Sequence, residues 1–210
     1  MLGSSLQLVA VLLTGVSLVA QLPPVKVDDP VSHAARVDAL RAKAKEQLLR
    51  DRMLYSESQV HDIEARYQSA HRDDFSTFLR PEAAPILIEL IAAYPKSNRS
   101  GCAALKLARL VSAKERERYL KEAIATYSGA WCESGVQVGA LARALLAVQY
   151  AGTGKFDEAE RFAKELLALF PGAIDESGAS LDGVLEGIRL LRERDLAAWQ
   201  AAAAGERPAG

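Results

Sequence analysis

The residues of this chain best suited to chemistry are three histidines, two cysteines and some paired acidic side chains. The histidines are His33, His61 and His71. A zinc-protease helix needs two histidines one turn apart with a glutamate after the first, whereas His61 is followed by Asp-Ile-Glu-Ala. His61 and His71 are ten residues apart, which is about 280 degrees around one helix. The sequence therefore predicts no metal site.

The acidic pairs and the glycines also lack the spacing that catalysis requires. Residues 28–29 and 73–74 are Asp-Asp pairs, and adjacent helical residues point about 100 degrees apart. Gly135 and Gly139 lack the Lys-Ser/Thr pair of a phosphate-binding loop, and no Gly-x-Ser-x-Gly elbow occurs in the chain. We therefore expect this protein not to be an enzyme and to bind no cofactor.

Charge and composition restrict the class of partner and of fold. The chain has 26 Lys and Arg residues against 27 Asp and Glu residues, a formal net charge of -1. Nucleic-acid-binding domains normally carry a basic excess, so we expect no nucleic-acid partner. Hydrophobic residues make up 50% of the chain and aromatic residues only 6%. Because the apolar residues are mainly Ala and Leu, the composition favours an all-α fold.

The N-terminal region predicts export. Residues 1–25 carry no charged side chain, and residues 6–20 form a nearly continuous apolar run that ends in small residues. This pattern is typical of a cleaved signal peptide, here residues 1–20. The alternative is an uncleaved anchor over residues 3–22, since roughly 20 apolar residues can span a bilayer. Residues 21–30 contain Pro-Pro and Asp-Asp pairs and predict an extended spacer. We expect a periplasmic or secreted protein, or a membrane-anchored one.

Helical periodicity follows the spacer. Residues 31–54 predict one charged helix with a narrow apolar stripe. That helix would pack on the domain, pair as a short coiled coil, or stand off from a membrane. Ser56 begins the next helix with a capping box. Residues 56–203 form the predicted helical domain, and its last helix, residues 181–203, would cap the terminal repeat. Residues 204–210 are predicted to be a disordered tail.

Three ten-residue windows share one pattern of apolar and aromatic residues. They are ILIELIAAYP at residues 86–95, YLKEAIATYS at 119–128 and FAKELLALFP at 162–171. Each has an aromatic residue at its ninth position and Pro or Ser at its tenth. The intervals of 33 and 43 residues are in the range of a repeated pair of helices. The sequence therefore predicts antiparallel helical hairpins.

The last of these hairpins resembles the tetratricopeptide repeat. The residues at the motif's Leu, Gly or Ala, Tyr, turn Gly, aromatic, small and closing Pro positions are Leu146, Ala147, Tyr150, Gly154, Phe156, Ala159 and Pro171. Arg143, Ala163 and Leu166 depart from the motif. The stretch 94–177 is similar to exported bacterial proteins with tetratricopeptide-like repeats. The resemblance implies an all-α, TPR-like α-solenoid of antiparallel helical hairpins with an N-terminal helix and a C-terminal capping helix.

The chain contains two cysteines, Cys102 and Cys132. In a cytosolic protein they would be two buried thiols. However, Cys102 lies at the start of one predicted helix and Cys132 follows the antiparallel partner of that helix, so a hairpin brings both to the same end. An oxidising compartment would allow a disulfide. Closing a loop of about 30 residues would contribute roughly 3 to 4 kcal/mol to stability.

Five side chains are candidates for binding a partner. Lys106, Arg109, Gln137 and Arg143 lie on predicted first helices, which line the inner curve of tetratricopeptide arrays. They would hold an acidic or extended peptide, or else are ordinary solvated residues. Trp131 lies in a Gly-rich loop, where it either fills a gap between repeats or anchors a partner. We expect a protein-binding adaptor or scaffold in the cell envelope. The alternative is a self-associating spacer or assembly subunit near the membrane, and a third hypothesis, an enzyme or a regulator of an enzyme, would need a site formed only in three dimensions.

Overall fold

A computed structural model describes residues 30–71, 79–80 and 82–203. These residues form nine helices and two isolated β-bridges, and none of them belongs to a β-strand. The all-α prediction is therefore confirmed for the described part of the chain. The predicted signal peptide or anchor, residues 21–29 of the spacer and the predicted tail lie outside the described residues.

The helices, in chain order, are α1 (Pro30–Leu49), α2 (Asp51–Leu54), α3 (Glu57–Ser69), α4 (Ala83–Ala93), α5 (Asn98–Leu110), α6 (Ala113–Thr126), α7 (Val138–Ala151), α8 (Phe156–Leu169) and α9 (Val184–Ala203). The described residues divide into two compact units. Unit A contains residues 30–143 and 173–179, and unit B contains residues 144–172 and 180–203. No helix in the described ranges is both long and apolar enough to cross a membrane.

The helix predicted over residues 31–54 is interrupted at one residue. α1 ends at Leu49 and α2 begins at Asp51, while Arg50 keeps helical dihedral angles (φ -63°, ψ -29°). Asp51 is buried, and its Oδ1 accepts a hydrogen bond of 2.8 Å from the backbone N–H of Asn98. The interruption therefore occurs where Asp51 turns inward to cap the first turn of α5.

Serine residues begin three of the helices. Each serine hydroxyl accepts a hydrogen bond from the backbone N–H three residues later, which satisfies an amide that has no partner inside the helix. The three N-cap serines are Ser56, Ser97 and Ser112. At Ser56 the side chain of Gln59 also accepts a hydrogen bond of 2.9 Å from the serine backbone N–H. The predicted capping box is therefore confirmed.

The three sequence windows end at equivalent structural positions. Their aromatic residues, Tyr94, Tyr127 and Phe170, are the C-caps of α4, α6 and α8. Each aromatic residue donates its backbone N–H to the carbonyl four residues earlier, at 2.9, 3.0 and 2.9 Å respectively. The repeated pattern in the sequence thus corresponds to a repeated helix ending.

Unit A is built from neighbouring helices that pack on one another. α3 packs against α4 and α5, α4 packs against α5, and α5 packs against α6. The core between these helices is aliphatic, with fully buried Ile63, Leu87, Leu90, Leu107 and Leu120. α1 also packs against α5. Burial of such side chains is the main stabilising contribution, at about 1.5 to 3 kcal/mol each.

Unit B contains the residues that resemble the tetratricopeptide motif. The buried members of this set are Leu146, Ala147, Tyr150 and Ala159. The rings of Tyr150 and Phe162 stack with their centroids 5.7 Å apart. Gly154 has φ +76°, which confirms the predicted left-handed turn residue between α7 and α8. Phe156 begins α8 and is half-buried, whereas Pro171 follows α8 and is exposed.

Candidate partner-binding site

The candidate site is built around α5, whose first turn is held by two other segments of unit A. Asp51 caps the backbone of Asn98, as described above. The Asn98 side chain donates from Nδ2 to the Trp131 carbonyl oxygen at 2.6 Å and accepts the Trp131 N–H at Oδ1, 2.8 Å away. Burial raises the pKa of Asp51, an effect that backbone hydrogen bonds from Asn98 and Arg99 partly oppose. The start of α5 is therefore fixed in position.

Two loops of unit A share the sequence Glu-Ser-Gly and one backbone conformation. We call residues 130–136 (AWCESGV) the Cys132 loop and residues 173–179 (AIDESGA) the Asp175 loop. In each, the third residue donates its N–H to the carbonyl of the seventh, at 2.8 Å in both loops. The sixth residue, Gly135 or Gly178, has φ +88° and donates to the carbonyl of the third. The two loops are thus the same turn, 43 residues apart.

Both loops lie against α1. A Cβ placed on Gly135 would lie 3.0 Å from the backbone nitrogen of Arg41, and one on Gly178 would lie 3.8 Å from a methyl group of Val37. Lys43 Nζ of α1 lies 5.2 Å from the centroid of the Trp131 ring. Because the inner residues of α1 contact both loops, this helix packs on its own domain, which is one of the three arrangements expected from its sequence.

Each loop then supplies a glutamate to α5. Glu133 of the Cys132 loop pairs with Arg99, and Glu176 of the Asp175 loop pairs with Arg109. Arg99 also binds Glu64 of α3 through two hydrogen bonds of 2.7 Å, and its side chain is only 3% exposed. Burial alone would lower the pKa of Arg99, but the hydrogen bonds and charge of Glu64 raise it above the ordinary value. Arg99 therefore keeps its positive charge although it is buried.

Between the two arginines lies Lys106. It follows Arg99 by seven residues, so the two side chains leave α5 within about 20 degrees of one another. Arg99 and Lys106 share the ring of Tyr67, with the Arg99 Cζ 4.5 Å and the Lys106 Nζ 5.8 Å from its centroid. Among the described residues, no carboxylate lies within ion-pairing distance of Lys106 Nζ.

Burial lowers the pKa of Lys106, and the positive charges of Arg109 and Arg99 add to that decrease, while Glu176 opposes it. Burial also lowers the pKa of His71, and the charge of Lys106 lowers it further. The Nδ1 atom of His71 lies 2.8 Å from the Tyr67 carbonyl oxygen. A negative group brought next to Lys106 would therefore relieve repulsion among several cations at once.

Two of the five predicted partner-binding residues, Lys106 and Arg109, lie together on the open side of α5. Lys106 is half-buried and Arg109 is exposed. Gln137 is also half-buried, and its backbone forms an isolated bridge with Trp131. These three positions remain candidates.

Trp131 and Arg143 both have buried side chains, which agrees with the gap-filling alternative for Trp131 and corrects the prediction of a surface residue for Arg143. Trp131 is 3% exposed beneath Lys43, so it fills space inside unit A and offers no surface to a partner. Arg143 donates from Nη1 to the Gly139 carbonyl oxygen at 2.9 Å and to Ser128 Oγ at 3.3 Å. Its guanidinium therefore joins the start of α7 to the end of α6.

The predicted disulfide is confirmed. Cys102 of α5 and Cys132 of the Cys132 loop are bonded, and their Cα atoms are 5.6 Å apart. Both residues are buried. Because these are the two cysteines of the chain, neither is a free thiol in this structure.

The side chains around Arg99 and Lys106 were not predicted from the sequence. Tyr67, His71, Glu64 and Arg99 have no local motif, since Glu64 and Arg99 are 35 residues apart in the chain. A usable pattern was nevertheless present: Glu-Ser-Gly occurs at 133–135 and at 176–178, with the same 43-residue interval as the helical windows. That repeat would have identified Glu133 and Glu176 as structurally equivalent.

Within the described ranges, no group of three or more His, Cys, Asp or Glu side chains is arranged to hold a metal ion. Comparison with known proteins found no matching family model, no matching curated protein and no matching solved structure.

Proposed function

We propose that this protein is an exported, tetratricopeptide-like adaptor of the cell envelope that binds an acidic segment of a protein partner at Lys106 and Arg109. The observation that carries the proposal is the state of Lys106. It is a half-buried cation with other cations close by and with no carboxylate at ion-pairing distance among the described residues. Because a partly desolvated charge is costly when unpaired, a carboxylate from a partner would gain more here than at an exposed lysine.

The order of packing in unit A supports a tetratricopeptide-like arrangement. In the proposed arrangement α3 and α5 would be the first helices of successive hairpins, and the observed packing is compatible with it, since α4 lies against α3 and α5, and α5 lies against α6. Packing of this kind places successive first helices side by side, and extended binding surfaces are built from such helices. Lys106 on α5 lies over the ring of Tyr67, a buried residue of α3, so the two helices meet beneath Lys106.

The proposal is tested with the full chain and synthetic peptides. Fluorescence anisotropy should show that a Glu- and Asp-rich peptide binds, that its Gln and Asn counterpart binds at least tenfold more weakly, and that the affinity falls with added salt because the contacts are charged. Lys106→Glu should abolish binding, and Arg109→Glu should weaken it.

The matched control is Lys114→Glu, a charge reversal at an exposed lysine of α6. It changes the net charge by the same amount as Lys106→Glu and should leave the affinity unchanged. Equal losses for Lys106→Glu and Lys114→Glu would show that the peptide responds only to overall charge, and unchanged binding by Lys106→Glu would remove the proposed site.

The alternative function, self-association through the helix predicted over residues 31–54, has less support. That hypothesis used the apolar stripe of the helix as the pairing surface. In unit A the two buried residues of α1, Val37 and Ala44, belong to this stripe and already pack within the domain. Only the opposite face of the helix is left for another role.

A further inference from the structure

The outward face of α1 and α2 carries a group of exposed apolar side chains. Three large apolar side chains near the junction of the two helices are exposed: Leu49 is 55%, Leu54 59% and Met53 85% exposed. Single exposed apolar residues are normal on a protein surface, but a group of them marks a contact surface.

The orientation of this face is fixed by contacts on the other side of the same segment. Asp51 points inward and binds the backbone of Asn98, and the Tyr55 hydroxyl accepts a hydrogen bond of 3.2 Å from the Lys96 N–H. Arg50 has helical dihedral angles, so Leu49 and Met53 lie about one turn apart on one side. Because Asp51 faces inward, Met53 must face outward.

Cations surround the apolar group. Lys45, Arg50 and Arg52 are exposed, and in the described part of the chain none of them has a carboxylate at ion-pairing distance. The acidic residues nearby contribute little opposing charge. Asp51 is buried and Asp38 lies 3.7 Å from Arg41, and the exposed glutamates nearest in the chain, Glu46 and Glu57, are fewer than the three cations.

Apolar side chains bordered by Lys and Arg are the pattern of helices that lie at a membrane surface. The apolar groups enter the boundary between headgroups and acyl chains, while the long basic side chains extend to lipid phosphates. We propose that Leu49, Met53 and Leu54, together with Lys45, Arg50 and Arg52, dock unit A on a membrane surface that contains anionic lipids. Because the residues that border the apolar group are cations, they favour a surface of anionic lipids over a neutral surface or an apolar face of a second copy.

The test measures which residue enters the bilayer, because the apolar run at residues 6–20 is common to every full-length sample and would bind vesicles by itself. Met53→Trp places a fluorescent reporter in the face. Ile88→Trp is the matched control, since Ile88 is an apolar residue on α4 that is 47% exposed. Each variant is mixed with vesicles of phosphatidylcholine, with or without a minority of phosphatidylglycerol, whose acyl chains carry bromine as a quencher.

Relative to the parent chain, Met53→Trp should show a blue-shifted and quenched component with the anionic vesicles, and Ile88→Trp should show none. Adding Lys45→Gln and Arg52→Gln to the reporter variant should weaken its affinity for the anionic vesicles, as measured by the quenching, by about fivefold for each cation removed. Met53→Trp without quenching on anionic vesicles, or with equal quenching on neutral ones, would overturn the proposal.

A second measurement separates lipid docking from contact between two copies. Light scattering without vesicles should give the same mass for the parent and for Met53→Glu. If Met53→Glu instead dissociates an oligomer, the face is a contact between copies and the proposal is wrong. The acidic-peptide affinity should not change in Met53→Glu.

Discussion

The Cys132 loop and the Asp175 loop share one backbone conformation, but different chemistry holds each of them. At the third position, Cys132 is bonded covalently to α5, whereas Asp175 binds its own loop. The Asp175 Oδ1 accepts hydrogen bonds from the Ser177 N–H, the Ser177 hydroxyl and the Ala179 N–H, at 2.8, 2.6 and 2.9 Å. One loop is therefore fixed to a neighbouring helix and the other is stabilised locally.

The glutamates that follow Cys132 and Asp175 also differ, because their arginine partners are exposed to different degrees. Glu133 binds an arginine whose side chain is 3% exposed, and Glu176 binds one whose side chain is 46% exposed. Exposed ion pairs contribute little, whereas hydrogen bonds to a buried charge contribute more. The Arg99 end of α5 is therefore part of the stable framework, whereas the Arg109 end can lose its intramolecular carboxylate at little cost in stability, as the proposed binding of an acidic partner requires.

Among the changes that test this comparison, removing the disulfide should cause the largest loss of stability. The double variant Cys102→Ala and Cys132→Ala loses a cross-link between residues 30 positions apart, and the free energy of unfolding should fall by about 3 to 4 kcal/mol. Urea unfolding followed by circular dichroism measures the change. The control is Asp175→Cys, which adds a thiol at the equivalent position and should not restore the lost stability. A loss below about 1 kcal/mol would show that the Cys132 loop is held by its other contacts alone.

Substitution of the equivalent glycines should also destabilise the protein more in the Cys132 loop than in the Asp175 loop. Gly135→Ala and Gly178→Ala both place a Cβ on a residue with φ +88°, which costs about 1 to 2 kcal/mol. At Gly135 the new Cβ also meets the backbone of α1, at 3.0 Å from Arg41 N and 3.2 Å from Leu40 C. We expect a total of about 2 to 4 kcal/mol there.

The control for the glycine pair is Gly129→Ala, where a Cβ meets no atom within 4 Å and φ is not positive. It should leave the unfolding midpoint unchanged. Equal losses for Gly135→Ala and Gly178→Ala would mean that α1 moves away from the Cys132 loop without cost, which would contradict a fixed α1.

Removing the charge of Glu133 should cause the next largest loss of stability. Glu133→Gln takes one charged acceptor from buried Arg99 but leaves the two hydrogen bonds from Glu64. The free energy of unfolding should fall by about 1 to 2 kcal/mol, less than the full value of a hydrogen bond to a charged group, because the glutamine keeps an amide oxygen as acceptor. Thermal unfolding at neutral pH tests this. If Glu133→Gln has no effect, then Glu64 alone satisfies Arg99.

The Asp175 loop should respond to loss of its local hydrogen bonds. Asp175→Ala removes the acceptor of three hydrogen bonds, and we expect a loss of about 1 to 2 kcal/mol. Asp175→Asn keeps a carbonyl oxygen and should lose less than Asp175→Ala. Hydrogen exchange at Ser177 and Ala179 measures the effect in the loop itself. Equal exchange rates in the two variants would mean that another contact holds the loop.

The sequence was sufficient for the helices and for the disulfide but not for the site, and the reason is the range of the interactions. Helical periodicity, the serine cap at Ser56 and the aromatic C-caps depend on residues a few positions apart. The Cys102–Cys132 pairing required only that two neighbouring helices be antiparallel. These are local or nearest-neighbour properties, so a single sequence contains them.

Burial of polar and aromatic side chains depends on segments that are distant in the chain. Trp131 was expected to be either a filler or an anchor, and it is buried because Asn98 holds its backbone and Lys43 of α1 covers its ring. Arg143 was expected on an open surface, and it is buried because Gly139 allows α7 to start against Ser128. Neither neighbour could be inferred from residues close to Trp131 or Arg143.

The smallest change in stability should come from Glu176→Gln, and it should separate binding from folding. Arg109 and Glu176 are partly exposed, so losing their ion pair should cost no more than about 0.5 kcal/mol and less at high salt. The same change releases Arg109 and removes the carboxylate that opposes the lowered pKa of Lys106. The acidic peptide should therefore bind severalfold more tightly to Glu176→Gln, whereas Glu133→Gln should lower stability and leave the affinity unchanged. If the two equivalent variants change affinity by the same factor, the distinction between a fixed end and an exchangeable end of α5 is wrong.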